Sequence, residues 1–166
     1  MDFDFSDDQQ QLRDAVHKWV EKGYGFERRR GIEAGKEGVP GFSRKAWEEL
    51  TELGLCGLYI PEDEGGLGMG PVEGMVVMEE LGRGIVLEPL AQSLIAGAVL
   101  SGYAGADLKS AWLPKIASGE LRLQAFGVTE PGAGSDAGSI TAEGVVFRDE
   151  RGELALRLNW NKRYIR

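Results

Sequence analysis

The chain contains a single cysteine, Cys56, so no disulfide can form within it. It also contains a single histidine, His17, which leaves little material for a histidine-built metal or catalytic centre. Long apolar runs are missing too. The most apolar stretch, Leu94 to Leu100, is broken by Gly97 and falls far short of the roughly 20 residues a membrane helix needs. The first residues, Met1-Asp2-Phe3-Asp4-Phe5, lack the basic start and apolar core of a signal peptide. A cytoplasmic protein with no membrane span is therefore expected. Basic residues are in the minority, 19 against 27 acidic ones, for a net charge of −8. Such a surface repels a phosphate backbone, so nucleic acid is excluded as a general partner. A local anion site made of backbone N–H groups is not excluded, because net charge does not affect it.

The chain is 42% apolar and 28% charged, the balance of a globular protein able to bury a core. Helical spacing dominates the first 119 residues. Ser6 and Gln9 form a capping box, followed by Leu12, Val16, Trp19 and Val20 on one stripe. Phe26 to Gly41 is charged and glycine-rich and reads as a loop or frayed helix. Ser43 opens a helix with Trp47, Leu50 and Leu53 inward and Gly54 as its stop. Pro61 to Gly70 is a loop. Pro71 starts a helix with Val72, Met75, Val76 and Met78 inward, and Pro89 starts another with Leu90, Leu94, Ile95, Ala98 and Val99 inward. Asp107 caps a last helix carrying Leu108, Trp112 and Ile116, in which Pro114 predicts a kink. Helices are thus predicted over 6–22, 43–53, 71–82, 90–101 and 107–118.

The period changes at Glu120. Leu121, Leu123 and Ala125 alternate with Arg122, Gln124 and Phe126 in the manner of a strand. Further on, Val145-Val146-Phe147 and Leu154-Ala155-Leu156 flank Asp149-Glu150-Arg151-Gly152 as a hairpin. A domain boundary is placed near residue 119. The predicted fold is mainly α, with a helical domain over 1–119 and the start of an antiparallel β-domain over 120–166.

The run from Ala125 to Asp136 (AFGVTEPGAGSD) carries the most chemical information. Pro131 sets a turn, and Gly132 and Gly134 permit positive φ and close backbone approach. Thr129 and Ser135 add hydroxyls, and successive N–H groups in such a turn can converge on an anion. Two commoner phosphate motifs fail: Ala137 occupies the third glycine position of the dinucleotide fingerprint, and Glu37 follows the only Gly-Lys pair. On spacing alone the run reads equally well as a tight loop between strands.

Thr129 to Asp136 resembles the flavin-binding signature of acyl-CoA dehydrogenases. Trp47 to Gly68 resembles that family's second helix and following loop, and Met78 to Gly82 its next helix. Leu113 to Glu120 is similar to its entry into the β-domain, and Asn159 to Ile165 to its segment beside the flavin. The motifs stand in the family's order over essentially the whole chain. The resemblance implies FAD as cofactor and α,β-dehydrogenation of an acyl-CoA thioester. In that reaction a carboxylate removes the α-proton while the β-hydrogen leaves as hydride to the flavin. It implies that Phe126 to Ser135 hold FAD, with Val128 and Thr129 by the ring and Gly134 and Ser135 at the pyrophosphate. Ser135 would also lie within reach of the CoA part of the substrate. Tyr164 and Ile165 would pack beside the ring. The implied partners are acyl-CoA, an electron-transfer acceptor protein, and other subunits in a homo- or hetero-oligomer. Trp160 stands where the family has a turn glycine, and Arg166 where it has a small hydroxyl residue. The family's glutamate base comes from a later helical bundle, so the chain is expected to lack its own base. Two rival readings are a non-catalytic truncated paralogue and a helical assembly partner.

Other candidates are assigned to the surface or the core. His17 lies off its helix's apolar stripe and is expected to be exposed, and Cys56 is expected to be a small buried hydrophobe. Glu62, Asp63 and Glu64 lack calcium-loop spacing and read as a solvated loop. Glu79 and Glu80 diverge by about 100° around a helix and do not form a catalytic pair. No metal site is expected.

Overall fold

The computed structural model describes residues 4–122, 127–133 and 136–163. The chain divides into two compact units, Met1–Leu123 and Gln124–Arg166. The first holds α1 (Asp7–Gly23), α2 (Phe26–Glu33), α3 (Arg44–Glu52), α4 (Pro71–Gly84), α5 (Leu90–Tyr103) and α6 (Ala106–Ala117). The second holds the strands β1 (Glu143–Arg148) and β2 (Leu154–Asn159).

Local signals set most of the helix ends. Ser6 and Gln9 close the capping box of α1, with Gln9 N–H donating to Ser6 Oγ at 3.2 Å and Ser6 N–H to Gln9 Oε1 at 3.0 Å. The Ser43 hydroxyl accepts from Ala46 N–H at 3.1 Å at the start of α3, and Gly54, with φ of 77°, stops the chain beyond it. α1 packs along α4 and α5 along α6. The main core joins Val16, Val20, Trp47, Leu50, Leu55, Leu58, Val77, Leu81, Leu90 and Leu94. A second cluster joins Ile60, Leu113, Ile116 and Ala117. Cys56 is buried, and burial pushes its thiol up, away from the thiolate.

The structure corrects several readings. Phe26 to Gly41 contains an eight-residue helix, because tertiary contacts overrule its weak periodicity. Ile32 is fully buried, and Arg28 donates to Gly23 O at 2.8 Å, Glu49 at 2.9 Å and Glu37 at 3.2 Å. On α4 the inward residues are Gly74, Val76, Val77, Glu80 and Leu81, whereas Val72, Met75 and Met78 are exposed. On α5 they are Leu90, Ser93, Leu94 and Gly97, whereas Ile95, Ala98 and Val99 are exposed. On α6 Leu113, Ile116 and Ala117 are buried, whereas Leu108 and Trp112 are exposed. Small residues mark the true contact faces. A Cβ on Gly74 would fall on the Tyr59 hydroxyl, and one on Gly97 would stand 3.3 Å from Ile60. Gly105 rather than Asp107 caps α6, and the helix runs through Pro114 to Ala117. Leu121 lies in a bend against the second helical cluster rather than in a strand, and the rest of that predicted strand, Leu123 to Phe126, lies outside the described residues.

Glu80 is a buried carboxylate of this unit. It accepts from Arg13 Nε at 3.0 Å and meets His17 Nδ1 at 2.8 Å and Arg83 Nε at 3.3 Å, which ties α1 to α4. His17 is half-exposed, as its position off the stripe predicts, but its second nitrogen faces Glu21 at 3.2 Å. A neutral imidazole has one N–H, so two facing carboxylates favour the doubly protonated ring. Hydrogen bonding to Glu80 raises the His17 pKa, with Glu21 adding to the effect. The sole histidine should therefore titrate in NMR with a midpoint above about 6.5, and Glu80→Gln should bring it down. A raised folded-state pKa gives stability that is full below the unfolded value and is lost as pH rises through the folded one. A midpoint at or below the unfolded value would contradict the clamp.

In the second unit β1 and β2 pair antiparallel, with Val146 opposite Leu156 and Phe147 opposite Ala155. Asp149 Oδ1 accepts from Arg151 N–H and Glu153 N–H at 2.9 Å each, and Gly152 takes φ of 81°. The hairpin is the one its alternation and turn residues predict. Apolar residues lie exposed on both faces, among them Val145, Val146, Leu154 and Leu156.

Candidate functional site

The glycine-rich run belongs to the second unit. Of the seven residues assigned to flavin by resemblance, Val128 and Thr129 are described; Phe126, Gly134, Ser135, Tyr164 and Ile165 lie outside the described residues. Val128 is exposed and Thr129 half-buried. The structure sets both beside the segment after β2. Arg163 N–H donates to Thr129 O at 2.8 Å, and Lys162 Nζ donates to Val128 O at 3.3 Å.

Glu130 organises the loop. It is not turned outward, as its place in a cofactor-facing loop suggests, but is buried with 5% of its surface exposed. Its Oε1 accepts from Lys162 Nζ at 2.8 Å and Ala142 N–H at 3.0 Å. Its Oε2 accepts from Thr141 N–H at 2.7 Å and the Thr141 hydroxyl at 2.8 Å. These donors, Lys162 first and then Thr141, push its pKa down to about 2. The sequence reading missed this pair, since 32 residues separate its members and neither spacing nor composition links them.

The turn after Glu130 is closed by Ala133 N–H donating to Glu130 O at 3.2 Å. Gly132 is not among the positive-φ glycines, and a Cβ there would meet nothing within 4 Å. It provides open approach to the backbone rather than a left-handed turn. Asp136 then caps a short 3-10 turn, Ala137–Ser139, accepting from Gly138 N–H at 2.9 Å and the Ser139 hydroxyl at 2.5 Å. The Ser139 hydroxyl, then Gly138 N–H, lowers the Asp136 pKa.

The described part of the loop fits a flavin dinucleotide on two counts. Gly127, Val128, Pro131 and Gly132 are exposed, and the space beside Gly132 is open. Its buried carboxylate, Glu130, is paired with Lys162, so that charge is not left bare toward a diphosphate. The neutral donors of such a loop suit a nucleotide cofactor better than a metal, and among the described residues no group of three or more His, Cys, Asp or Glu side chains could hold a metal ion.

The buried carboxylates among the described residues, Glu80, Glu88 and Glu130, are each held by partners. A base works best with a pKa near the operating pH, far above that of Glu130. Glu80 is enclosed by cations, and Glu88 is buried, accepting from the Tyr24 hydroxyl at 2.7 Å and Ser43 N–H at 3.0 Å. Glu79 and Glu80 share Arg13. Glu62 and Asp63 sit exposed on the 3-10 turn Glu62–Glu64.

Comparison with known proteins identifies the family of this chain. The family described as acyl-CoA dehydrogenase, N-terminal domain, matches residues 6–120. The acyl-CoA dehydrogenase FadE12 of Mycobacterium tuberculosis is 37% identical over 139 residues, which are 82% of this chain and 34% of that protein. An acyl-CoA dehydrogenase of Bacillus anthracis, solved in complex with FAD, superposes with a TM-score of 0.75 at 25% identity, covering 98% of this chain and 27% of the other. Butyryl-CoA dehydrogenase of Megasphaera elsdenii gives 0.72 at 26% identity, covering 99% and 42%. The chain thus spans about a third of the length of the curated relatives it matches, 34% for FadE12. Among the described residues, no helix is long and apolar enough to cross a membrane.

Proposed function

This chain belongs to the acyl-CoA dehydrogenase family, and from that premise we propose that it serves flavin-dependent α,β-dehydrogenation of an acyl-CoA thioester. Residues 1–119 are the helical domain and 120–166 the start of the flavin-binding β-domain. The observation that carries the reading is the Gly127–Gly132 loop, exposed at Gly127, Val128 and Gly132 and with its buried carboxylate paired to Lys162. FAD, when bound, supplies the acceptor for the β-hydrogen. Val128 and Thr129 border its ring together with Phe126, Tyr164 and Ile165. Gly134 and Ser135 meet its pyrophosphate, and Ser135 also reaches the CoA part of the substrate. The general base comes from outside residues 1–166. An electron-transfer protein reoxidises the flavin, and the working form is an oligomer.

The test is FAD titration of point variants. Thr129→Ala removes one neutral hydrogen bond and should weaken binding by about fivefold, since such a bond is worth about 1 kcal/mol. Gly134→Val should weaken it further by blocking backbone approach. Unchanged affinity in both variants would remove this loop from the site.

A further inference from the structure

The pair Glu130–Lys162 lies behind the segment that faces the proposed cofactor. Both side chains are largely enclosed, 4% and 13% exposed, at an N···O distance of 2.8 Å. Lys162 Nζ holds the Val128 carbonyl while the next residue's N–H holds the Thr129 carbonyl. Glu130 spends its remaining contacts on Thr141 and Ala142, just before β1. One ion pair therefore joins three stretches of chain: the loop itself, the entry to β1 and the exit from β2.

A buried ion pair is a weak source of stability, because desolvating two charges offsets most of their attraction. It is a strong source of geometry, because each oxygen and each N–H fixes a direction. Here the fixed points are the carbonyls of Val128 and Thr129, the two described residues assigned to the ring. The same lysine cancels the only buried carboxylate of the loop.

We propose that Lys162 and Glu130 are positioning residues for the flavin, setting Val128 and Thr129 from the buried side of the loop and keeping that side electrically neutral. The proposal rests on the flavin-binding reading of the loop. Lysine is suited to the task as a compact charge on a flexible stem, able to serve a carboxylate and a carbonyl at once.

Fluorescence titration of the whole chain with FAD tests it, using wild type, Lys162→Met, Lys162→Arg and the double variant Glu130→Gln/Lys162→Met. Losing a charged hydrogen bond and baring a carboxylate should weaken FAD binding by about tenfold in Lys162→Met. Lys162→Arg keeps the charge and should stay within about threefold of wild type. The double variant removes both partners together and should recover part of the loss, remaining about threefold weaker because the two carbonyls are still loose. At saturating FAD the visible absorption and circular dichroism bands of the bound flavin should differ between Lys162→Met and wild type. A pair that only stabilises the fold would lower the melting temperature and leave those bands and the affinity unchanged. Wild-type affinity and bands in folded Lys162→Met overturn the proposal. If that variant does not fold, wild-type affinity in the double variant overturns it. A wild-type chain that leaves FAD free overturns the flavin reading, and the positioning role with it.

Discussion

The 166-residue polypeptide, given FAD, acyl-CoA thioesters of several chain lengths and an artificial electron acceptor, is expected to show no turnover at ordinary enzyme rates. Abstraction of a proton α to a thioester needs a base within hydrogen-bond reach of that carbon. Glu130 and Asp136 directly follow flavin-assigned residues; Asp136 accepts from Gly138 N–H and the Ser139 hydroxyl, and Glu130 is fully engaged. Its oxygens are spread over Lys162, Thr141 and Ala142, and its pKa lies near 2. Glu80 and Glu88 are buried among their partners in the helical unit. Absence of a general base lowers a rate by about 10² to 10⁴. Acceptor bleaching by the purified polypeptide alone, at tens of turnovers per second, would mean that one of these carboxylates is released from its partners and serves as the base.

The second large effect concerns folding. Gly66→Ala should destabilise the helical unit by roughly 3 kcal/mol or more, the upper range for forcing extra atoms into a packed site. A Cβ at Gly66 would collide with Ile60 O and stand 2.5 Å from Ile60 Cβ and 2.6 Å from Gly57 O. The obstacles are mostly backbone, which cannot swing aside. The same backbone carries close hydrogen bonds: Leu67 N–H donates to Gly57 O at 2.9 Å and Gly68 N–H to Ile60 O at 2.8 Å. These hold the loop between α3 and α4 against the core. The thermal midpoint of the helical unit should fall by about 10 °C or more. Gly102→Ala is the control: a Cβ there meets nothing within 4 Å, and an alanine in the last turn of α5 should leave the midpoint unchanged or raised. Equal melting of Gly66→Ala and wild type would show that the loop packs more loosely than its contacts indicate.

Gly66 also marks the limit of what the sequence discloses. Helix positions were legible where apolar period and caps agreed, as with Ser6 and Gln9 before α1, Ser43 before α3 and Pro71 opening α4. Helix faces were less legible. On α4 a search for large apolar residues selects Val72, Met75 and Met78, all exposed, and passes over Gly74 and Glu80, both buried. Gly74 is inward because Tyr59 needs its space, and Glu80 because Arg13, His17 and Arg83 surround it. Such roles depend on partners far along the chain, which a local period does not register. α2 stays open between loop and frayed helix in the sequence for the same reason, since Arg28 finds Glu49 only after folding. In the candidate site the loop was legible through its motif, but its organiser was not. Lys162 meets Glu130 across 32 residues, and a short spacing pattern cannot connect them.

The most direct test of the central claim, that this loop receives FAD, is an FAD titration of the chain followed by two-dimensional amide NMR. Flavin binding at the proposed site should shift the resonances of Gly127 to Ser135 and of Lys162 to Ile165, with saturable behaviour, and leave those of α1 and α4 in place. Shifts confined to the helices, or no shifts at FAD concentrations well above those that saturate flavoproteins, would contradict it.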